Sequence, residues 1–485
     1  MPETPKVKIV TLGCAKNEVD SEEIAGVLGS AGYSVDGAAK KTDVTVINTC
    51  GFLESAKEES IRAIKDAVRE RKAGRTGRVI VAGCLAQRLG AELERLAPGA
   101  DSYVGVGQMG RFDEIVGRFA LLPVALSQVE GRSPHPPTPS PSARTSDREG
   151  EIGPQHLWAD VETRARTGKP WSAYLKVSEG CDHPCTFCTI PSFRGKHASK
   201  PLERVLAEAN HLARTGCREI NLIAQDVTQY GFDLYKKFTL PTLLRELNGV
   251  EGIDWIRILY FYPSRLTDEV IEAMATLPKV AKYIDIPLQH SHPDVLRRMK
   301  RPWDGDRYLR LIEKVRAAMP DIAIRTTFIV GFPGETDAEF DHLLAFMQEA
   351  RLDRVGAFRF SREPGTPSHD MEGQVSIKVK NERYDKLMRT QQRISLEVNR
   401  TWVGRTLRVL VDEQRDGWVI GRSHRDAPEI DGMVFARGKA EPGCFVNVLV
   451  DDAEAYDLYG NVEGQEVAPV RRLTGLRMAA PRAPQ

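Results

Sequence analysis

A chain of 485 residues, 41% hydrophobic and 28% charged, has enough apolar side chains for several packed cores, and its length points to about three domains. Its 68 Lys and Arg balance 67 Asp and Glu, so global charge directs it neither to nucleic acid nor to an anionic membrane. No apolar run approaches the roughly 20 residues that span a bilayer, and Met1 to Lys8 lacks the apolar stretch of a secretory signal. A cytoplasmic protein with no membrane partner is expected, its eight cysteines reduced and available for metal or catalysis.

The first segment alternates strands and helices. Lys8–Leu12, Val44–Ile47 and Val79–Val81 are short β-branched runs that predict buried parallel strands. Asp20 with Glu23 predicts a capping box ahead of Ile24, Val27 and Leu28. Ile61, Ile64 and Val68 repeat at helical spacing until Gly74, and Leu85, Leu89, Leu93 and Leu96 do so before Pro98. This pattern predicts an open parallel α/β sheet domain over residues 6–122. A Pro/Ser-rich stretch with five prolines between Ser133 and Ser142 reads as a stiff linker within 123–166, or as a surface loop of one domain.

A second alternation fills 167–398. Its predicted strands are Ala173–Val177, Glu219–Ile223, Trp255–Tyr260, Tyr283–Ile286, Ile324–Val330 and Val355–Phe360, with amphipathic helices between them. Six such units predict a partial (β/α) barrel with its chemistry at the carboxyl ends of the strands. From 399 to 476 the helical signal gives way to Leu407–Val411, Trp418–Ile420, Gly432–Phe435 and Phe445–Val450, which predict a small antiparallel β-barrel. Residues 477–485 read as a tail. The fold class expected is thus α/β multidomain.

Cys181-Asp-His-Pro-Cys185-Thr-Phe-Cys188 directly follows the first barrel strand. Three thiolates in one loop can converge on one soft metal centre. A four-iron cubane held by three cysteines keeps one iron open for a small molecule. Tetrahedral zinc, with His183 or His197 as fourth ligand, is the alternative. Cys14, Cys50 and Cys84 form a second set, each one or two residues beyond a predicted strand and about one βαβ repeat apart. In a parallel sheet that spacing brings all three to the carboxyl edge, where such folds bind ligands. A second three-cysteine cluster follows, able to relay electrons or to carry sulfur. Cys217 and Cys444 read as packing residues.

The spacing C-x-x-x-C-x-aromatic-C, with Phe187 as the aromatic, resembles the signature of radical S-adenosylmethionine enzymes. The resemblance implies that the open iron chelates the cofactor and that its cleavage yields a 5′-deoxyadenosyl radical. Gln225 and Asp226 stand where that superfamily often carries Gly-Gly-Glu for the cofactor's amino group. Gln289 and His290 stand at a position suited to the ribose, and Phe328–Glu335, with Gly331, Gly334 and Glu335, resembles the adenine cradle.

With the N-terminal triad and the C-terminal β module, the whole chain resembles the methylthiotransferases, which convert C–H to C–S–CH3. The resemblance implies two 4Fe–4S clusters, S-adenosylmethionine as methyl donor and radical source, a TRAM-like C-terminal barrel, a sulfur donor, and an electron donor such as flavodoxin or ferredoxin. Leu12-Gly-Cys-Ala-Lys-Asn-Glu-Val-Asp-Ser21, Ser178–Asp182, Ile190–Gly195, Ile220–Asp226 and Asp426–Gly432 resemble the branch that acts on an aspartate β-carbon of ribosomal protein uS12. The branch that modifies adenosine in transfer RNA usually has Gln-Met-Asn where Ala15-Lys16-Asn17 stands here. From Trp402 to Leu476 there are nine Lys or Arg against thirteen Asp or Glu. An acidic module suits a basic ribosomal protein better than RNA, and Asp426, Glu429 and Asp431 are the expected substrate-binding residues. A zinc-bearing RNA-binding or assembly factor is the alternative of another class.

Overall fold

The computed structural model describes residues 4–119 and 164–465. Most of the expected linker and all of the expected tail lie outside them.

Five parallel strands build the first unit in the order β2-β1-β3-β4-β5: β1 Lys6–Thr11, β2 Ser34–Val35, β3 Thr42–Thr49, β4 Thr76–Gly83 and β5 Ser102–Val104. Val44, Val46, Ile80 and Ala82 face one apolar layer with Ile24 and Leu28, while Ile47, Val79 and Val81 face another with Ile64 and Leu85. Alternate residues of a strand point to opposite faces, so helices cover both sides of a sheet buried throughout.

Two local expectations are corrected. The first helix, α1 (Ala15–Ser30), begins at Cys14 as N-cap, well before Asp20. Asp20 and Glu23 are buried mid-helix, where both face Lys176 Nζ. Their capping-box spacing reflects a tertiary ion pair rather than a helix start. The leucine repeat from 85 to 96 forms two short helices, Cys84–Leu89 and Ala91–Leu96, because Gly90 takes φ +52 between them.

The second unit is an arc of six parallel strands. β6 (Ser172–Lys176), β9 (Glu219–Ile223) and β10 (Trp255–Ile258) form one ladder, after the short hairpin of β7 (Ser178–Glu179) with β8 (Ala198–Ser199). β11 (Tyr283–Asp285), β12 (Ala323–Val330) and β13 (Arg354–Arg359) form the other. Backbone bonds such as Phe261 N to Asp285 O (2.8 Å) join the two ladders. β6 and β13 remain unpaired with each other, so this is the expected partial barrel, open on one side. Helices such as Leu202–Arg214 and Gly305–Ala318 pack Val205, Leu212, Leu311 and Val315 against its outer face.

The third unit is a closed five-stranded barrel, β14-β15-β16-β18-β17, made by β14 Thr406–Arg415, β15 Trp418–Ser423, β16 Val434–Arg437, β17 Phe445–Ala453 and β18 Leu458–Val462. β18 was not expected, since Leu458-Tyr-Gly-Asn-Val462 carries two poor strand formers in five residues. Its pairing with β16 is parallel, so the module is antiparallel at every other joint.

Buried ions fasten this barrel to the core. Glu219 meets Arg257 and Arg422, Asp412 meets Arg422, Asp353 meets Arg425, Asp426 meets Arg354, and Asp431 meets Arg325 and the Tyr283 hydroxyl. Such pairs return little net stability for their desolvation, but removing one member strands a buried charge at a cost of about 3–5 kcal/mol. They fix register between the two units.

Candidate active site

Parallel register brings the N-terminal cysteines together. Thr11 pairs with Asn48 and Thr49 with Gly83, so β1, β3 and β4 end level and release Cys14, Cys50 and Cys84 at one edge. Gly13 turns the chain with φ +93, and a Cβ there would lie 2.6 Å from Cys50 Cβ and 2.9 Å from its Sγ. Only glycine permits that approach. Asn17 Nδ2 donates to the carbonyls of Leu12 (2.7 Å) and Thr49 (3.0 Å), tying two of the strand ends. Ser60 Oγ accepts from Cys50 N (3.0 Å) and donates to Cys50 O (2.9 Å).

Arg194 reaches this triad from the core. Its Nε and Nη2 lie 3.3 and 3.1 Å from Cys84 Sγ, and its other contacts are Glu179 (2.8 Å), Asp20 (3.0 Å) and Asn17 Oδ1 (2.9 Å). Lys176 bridges Asp20 and Glu179, completing a buried charge web between α1 and the start of the barrel.

The second set of thiols hangs on one loop. Cys181 N donates to Gly195 O (3.1 Å), Cys188 N to Cys185 O (3.2 Å), and Thr186 is tied through its backbone and hydroxyl to Met299 and Arg298. His183 stacks on Tyr262 at 3.5 Å and contacts Asp226 Oδ2 at 2.7 Å. Arg301 Nη1 lies 3.8 Å from Cys185 Sγ.

All six thiols line one cavity of about 300 Å³ at the carboxyl ends of both sheets. Its walls include Lys16, Arg194, Tyr260, Tyr262, Arg301 and Arg325. Burial pushes the Cys50 thiol up to about 11, and those of Cys84, Cys181 and Cys188 up to about 12. At neutral pH these thiols hold their protons until a cation replaces them, so loading a metal releases protons.

The spacing bears on the choice between one ion and a cluster. Four thiolates around zinc stand about 3.8 Å apart, given Zn–S near 2.3 Å. Among the described residues, the one set of three or more His, Cys, Asp or Glu with ligand atoms all within 4.8 Å is His292, Asp294 and Glu339. In each cysteine triad at least one pair of ligand atoms therefore stands more than 4.8 Å apart, wider than a single tetrahedral zinc takes. Of the two histidines, His197 does not line the cavity, while His183 does, with Nε2 on Asp226 and its ring stacked on Tyr262.

Of the residues expected to hold the cofactor, Phe187, Gln225 and Gln289 line the cavity. Asp226 instead accepts Thr228 N (2.8 Å) and holds His183. His290 is fully buried, its Nδ1 accepting His292 N (3.0 Å), and burial pulls its pKa well below the usual value. Glu335 accepts the amides of Gly331 (2.9 Å) and Phe332 (3.2 Å) and meets Arg383 (2.8 Å), so this loop, Gly334 included, is braced by its own carboxylate. Those five positions support the wall rather than line it.

The expected substrate-binding acids fall in two settings. Asp426 and Asp431 are spent on Arg354, Arg325 and Tyr283 in the barrel joint. Glu429 alone is exposed, beside Glu18, whose carboxyl is raised to about 7 by burial and by Glu429's like charge. Sequence reasoning missed Lys16, Arg194 and Arg301. The first two lie in quoted motifs, but nothing local marks a cation as cavity-lining.

Three family models match: "Uncharacterized protein family UPF0004" over residues 6–105, "Radical SAM superfamily" over 175–347 and "TRAM domain" over 403–462. Proteins named ribosomal protein uS12 methylthiotransferase RimO are 46% identical in Chloroflexus aurantiacus, over 94% of this chain and 99% of that one. The Moorella thermoacetica relative is 44% identical, over 94% and 99%. The chain belongs to the RimO methylthiotransferase family. Its cofactors are accordingly S-adenosylmethionine and iron–sulfur clusters. Among solved structures, the radical S-adenosylmethionine methyltransferase TsrM of Kitasatospora setae shares the fold with a TM-score of 0.54 at 14% identity, covering 86% of this chain and 81% of that one. The sheet-plus-barrel frame is thus shared beyond the RimO family.

Proposed function

We propose that this chain inserts a methylthio group at the β-carbon of an aspartate of ribosomal protein uS12. The observation that carries the reading is that six thiols in two triads line one cavity, at the carboxyl ends of two sheets. Cys181, Cys185 and Cys188 would hold one 4Fe–4S cluster and Cys14, Cys50 and Cys84 the other, each with one iron free. When bound, the clusters and S-adenosylmethionine supply the hydrogen abstraction, the sulfur and the methyl that turn C–H into C–S–CH3.

The chain's own residues define the site. Phe187, Gln225 and Gln289 would bind S-adenosylmethionine, while Arg301 stays close to Cys185. Arg194 donates to Cys84 and ties the loop of one triad to the strand end of the other. Tyr260, Phe261 and Tyr262 supply aromatic wall that would shield the reacting carbon from water. A flavodoxin or ferredoxin would supply electrons and a separate donor the sulfur, in the cytoplasm; among the described residues no helix is long and apolar enough to cross a membrane.

Anaerobically reconstituted protein incubated with uS12 should convert one aspartate, read by mass spectrometry as a methylthio group replacing hydrogen. Unmodified uS12 alongside methylthiolated transfer RNA would overturn the substrate assignment.

A further inference from the structure

The cations lining the cavity differ in what neutralises them. Arg194 faces Glu179 and Asp20, and Arg325 faces Asp285 and Asp431. Arg301 lies beside Cys185, and Arg359 sits exposed at the rim over the Tyr384 ring. Lys16 stands apart. It is 7% exposed and lines the cavity, with Nζ 3.6 Å from the centroid of the Tyr260 ring. Among the described residues it donates no hydrogen bond and meets no carboxylate. An aromatic face restores only part of the hydration a buried ammonium gives up. A charge buried this way normally has an anionic partner, and here the open side faces the cavity.

The neighbouring backbone supports a built site. Tyr260 carries φ +66, an uncommon conformation for a bulky residue, just past the end of β10. That places its ring against Lys16, while Tyr260 N lies 3.3 Å from Asp285 Oδ2. Asp285 pairs with Arg325 at 2.7 Å and forms no ion pair with Lys16.

We propose that Lys16 receives the side-chain carboxylate of the substrate aspartate and thereby selects an acidic residue for this cavity. The inference rests on the functional reading above and adds its specificity element. A carboxylate held at Nζ keeps the adjoining carbon, the one to be modified, within the cavity that both triads line. Lys16 is a binding residue and takes no part in the hydrogen or sulfur transfer.

A double-mutant cycle tests the pairing. Binding of uS12 and of uS12 with its target aspartate changed to asparagine is measured on cluster-loaded wild-type and Lys16→Met enzyme, with Lys16→Arg as the conservative variant. Charge-assisted hydrogen bonds are worth about 10- to 150-fold. Wild type and Lys16→Arg should therefore bind the aspartate form at least about tenfold tighter, and Lys16→Met should bind both forms alike. Equal discrimination by Lys16→Met overturns the proposal. So does loss of the second cluster's EPR signal and iron in Lys16→Met, which would make Lys16 a support of that cluster. A wild-type enzyme that neither binds nor modifies uS12 overturns the functional reading itself, and the pairing with it.

Discussion

Cys181, Cys185 and Cys188 lie on one eight-residue loop, whereas Cys14, Cys50 and Cys84 come from three strand ends spread over 71 residues. The first triad needs only its loop and the few bonds that pin Cys181, Thr186 and Cys188. The second exists only when β1, β3 and β4 stand in register and Gly13 lets Cys14 approach Cys50. A local site survives modest damage to the fold around it. A composite site reports on the whole sheet.

Removing one thiol from each separates the two most sharply. Cys185→Ala is expected to lose the first cluster and all methylthio product. Cys50→Ala should also abolish product, but iron content should fall to about half while the first cluster's EPR signal persists. Full methylthiolation by Cys50→Ala would show that the composite triad is not part of the chemistry.

Gly13→Ala breaks the composite site without touching a ligand. The added Cβ meets Cys50 at 2.6 Å in a backbone conformation that costs an L-residue about 1–2 kcal/mol before any clash. Product should fall by more than tenfold, with the second cluster's iron depleted and the first retained. Equal loss of both signals would mean that the two triads fold as one unit.

Arg194→Met tests the bridge between them. Its removal strands Asp20 and Glu179 with only Lys176 to share, a loss of about 3–5 kcal/mol by the usual cost of an uncompensated buried charge. Cys84 also loses two N–H donors. Donors to a cluster sulfur favour the reduced, more negative state, so the second cluster's potential should move down while the first stays put. Potentiometric titration followed by EPR would read both; a shift in the first cluster alone would reverse the assignment of Arg194.

This contrast also marks what was legible in the sequence. The local triad could be read directly, because its ligands share one loop. The composite triad was legible through a regularity, three cysteines each just past a β-branched run. The three central strands of the first unit and the six barrel strands followed from hydrophobic runs, since burial on both faces leaves little else to the sequence. What stayed hidden is the pairing of charges. Asp20 and Glu23 resemble a helix cap, and Asp426 and Asp431 resemble an acidic face, yet all four meet Lys or Arg from another unit. A carboxylate's spacing along the chain carries no record of a partner 48 to 156 residues away, such as Lys176 for Asp20 or Arg383 for Glu335. Lys16 escaped notice because nothing along the chain marks it as lining the cavity.

The smallest expected effect probes the third unit, where neither triad resides. His424 packs edge-on against Trp402 at 5.6 Å, its Nε2 donates to Asp321 O at 3.1 Å, and burial pulls its pKa from 6.5 to about 4. Between those values the unfolded chain takes up a proton that the native joint refuses, so stability rises with pH across this window. The contribution is present above about pH 6.5 and drains away as pH falls towards 4. One such proton sets a slope of about 1.4 kcal/mol per pH unit. His424→Gln keeps a neutral donor and should flatten the acid limb of a thermal-unfolding series by that amount. Both cluster signals should be unchanged at pH 7 in this variant, because His424 is not among the residues that line the cavity. If the acid limb keeps its slope in His424→Gln, the titrating group lies elsewhere, and the buried carboxylates of the same joint become the ones to replace.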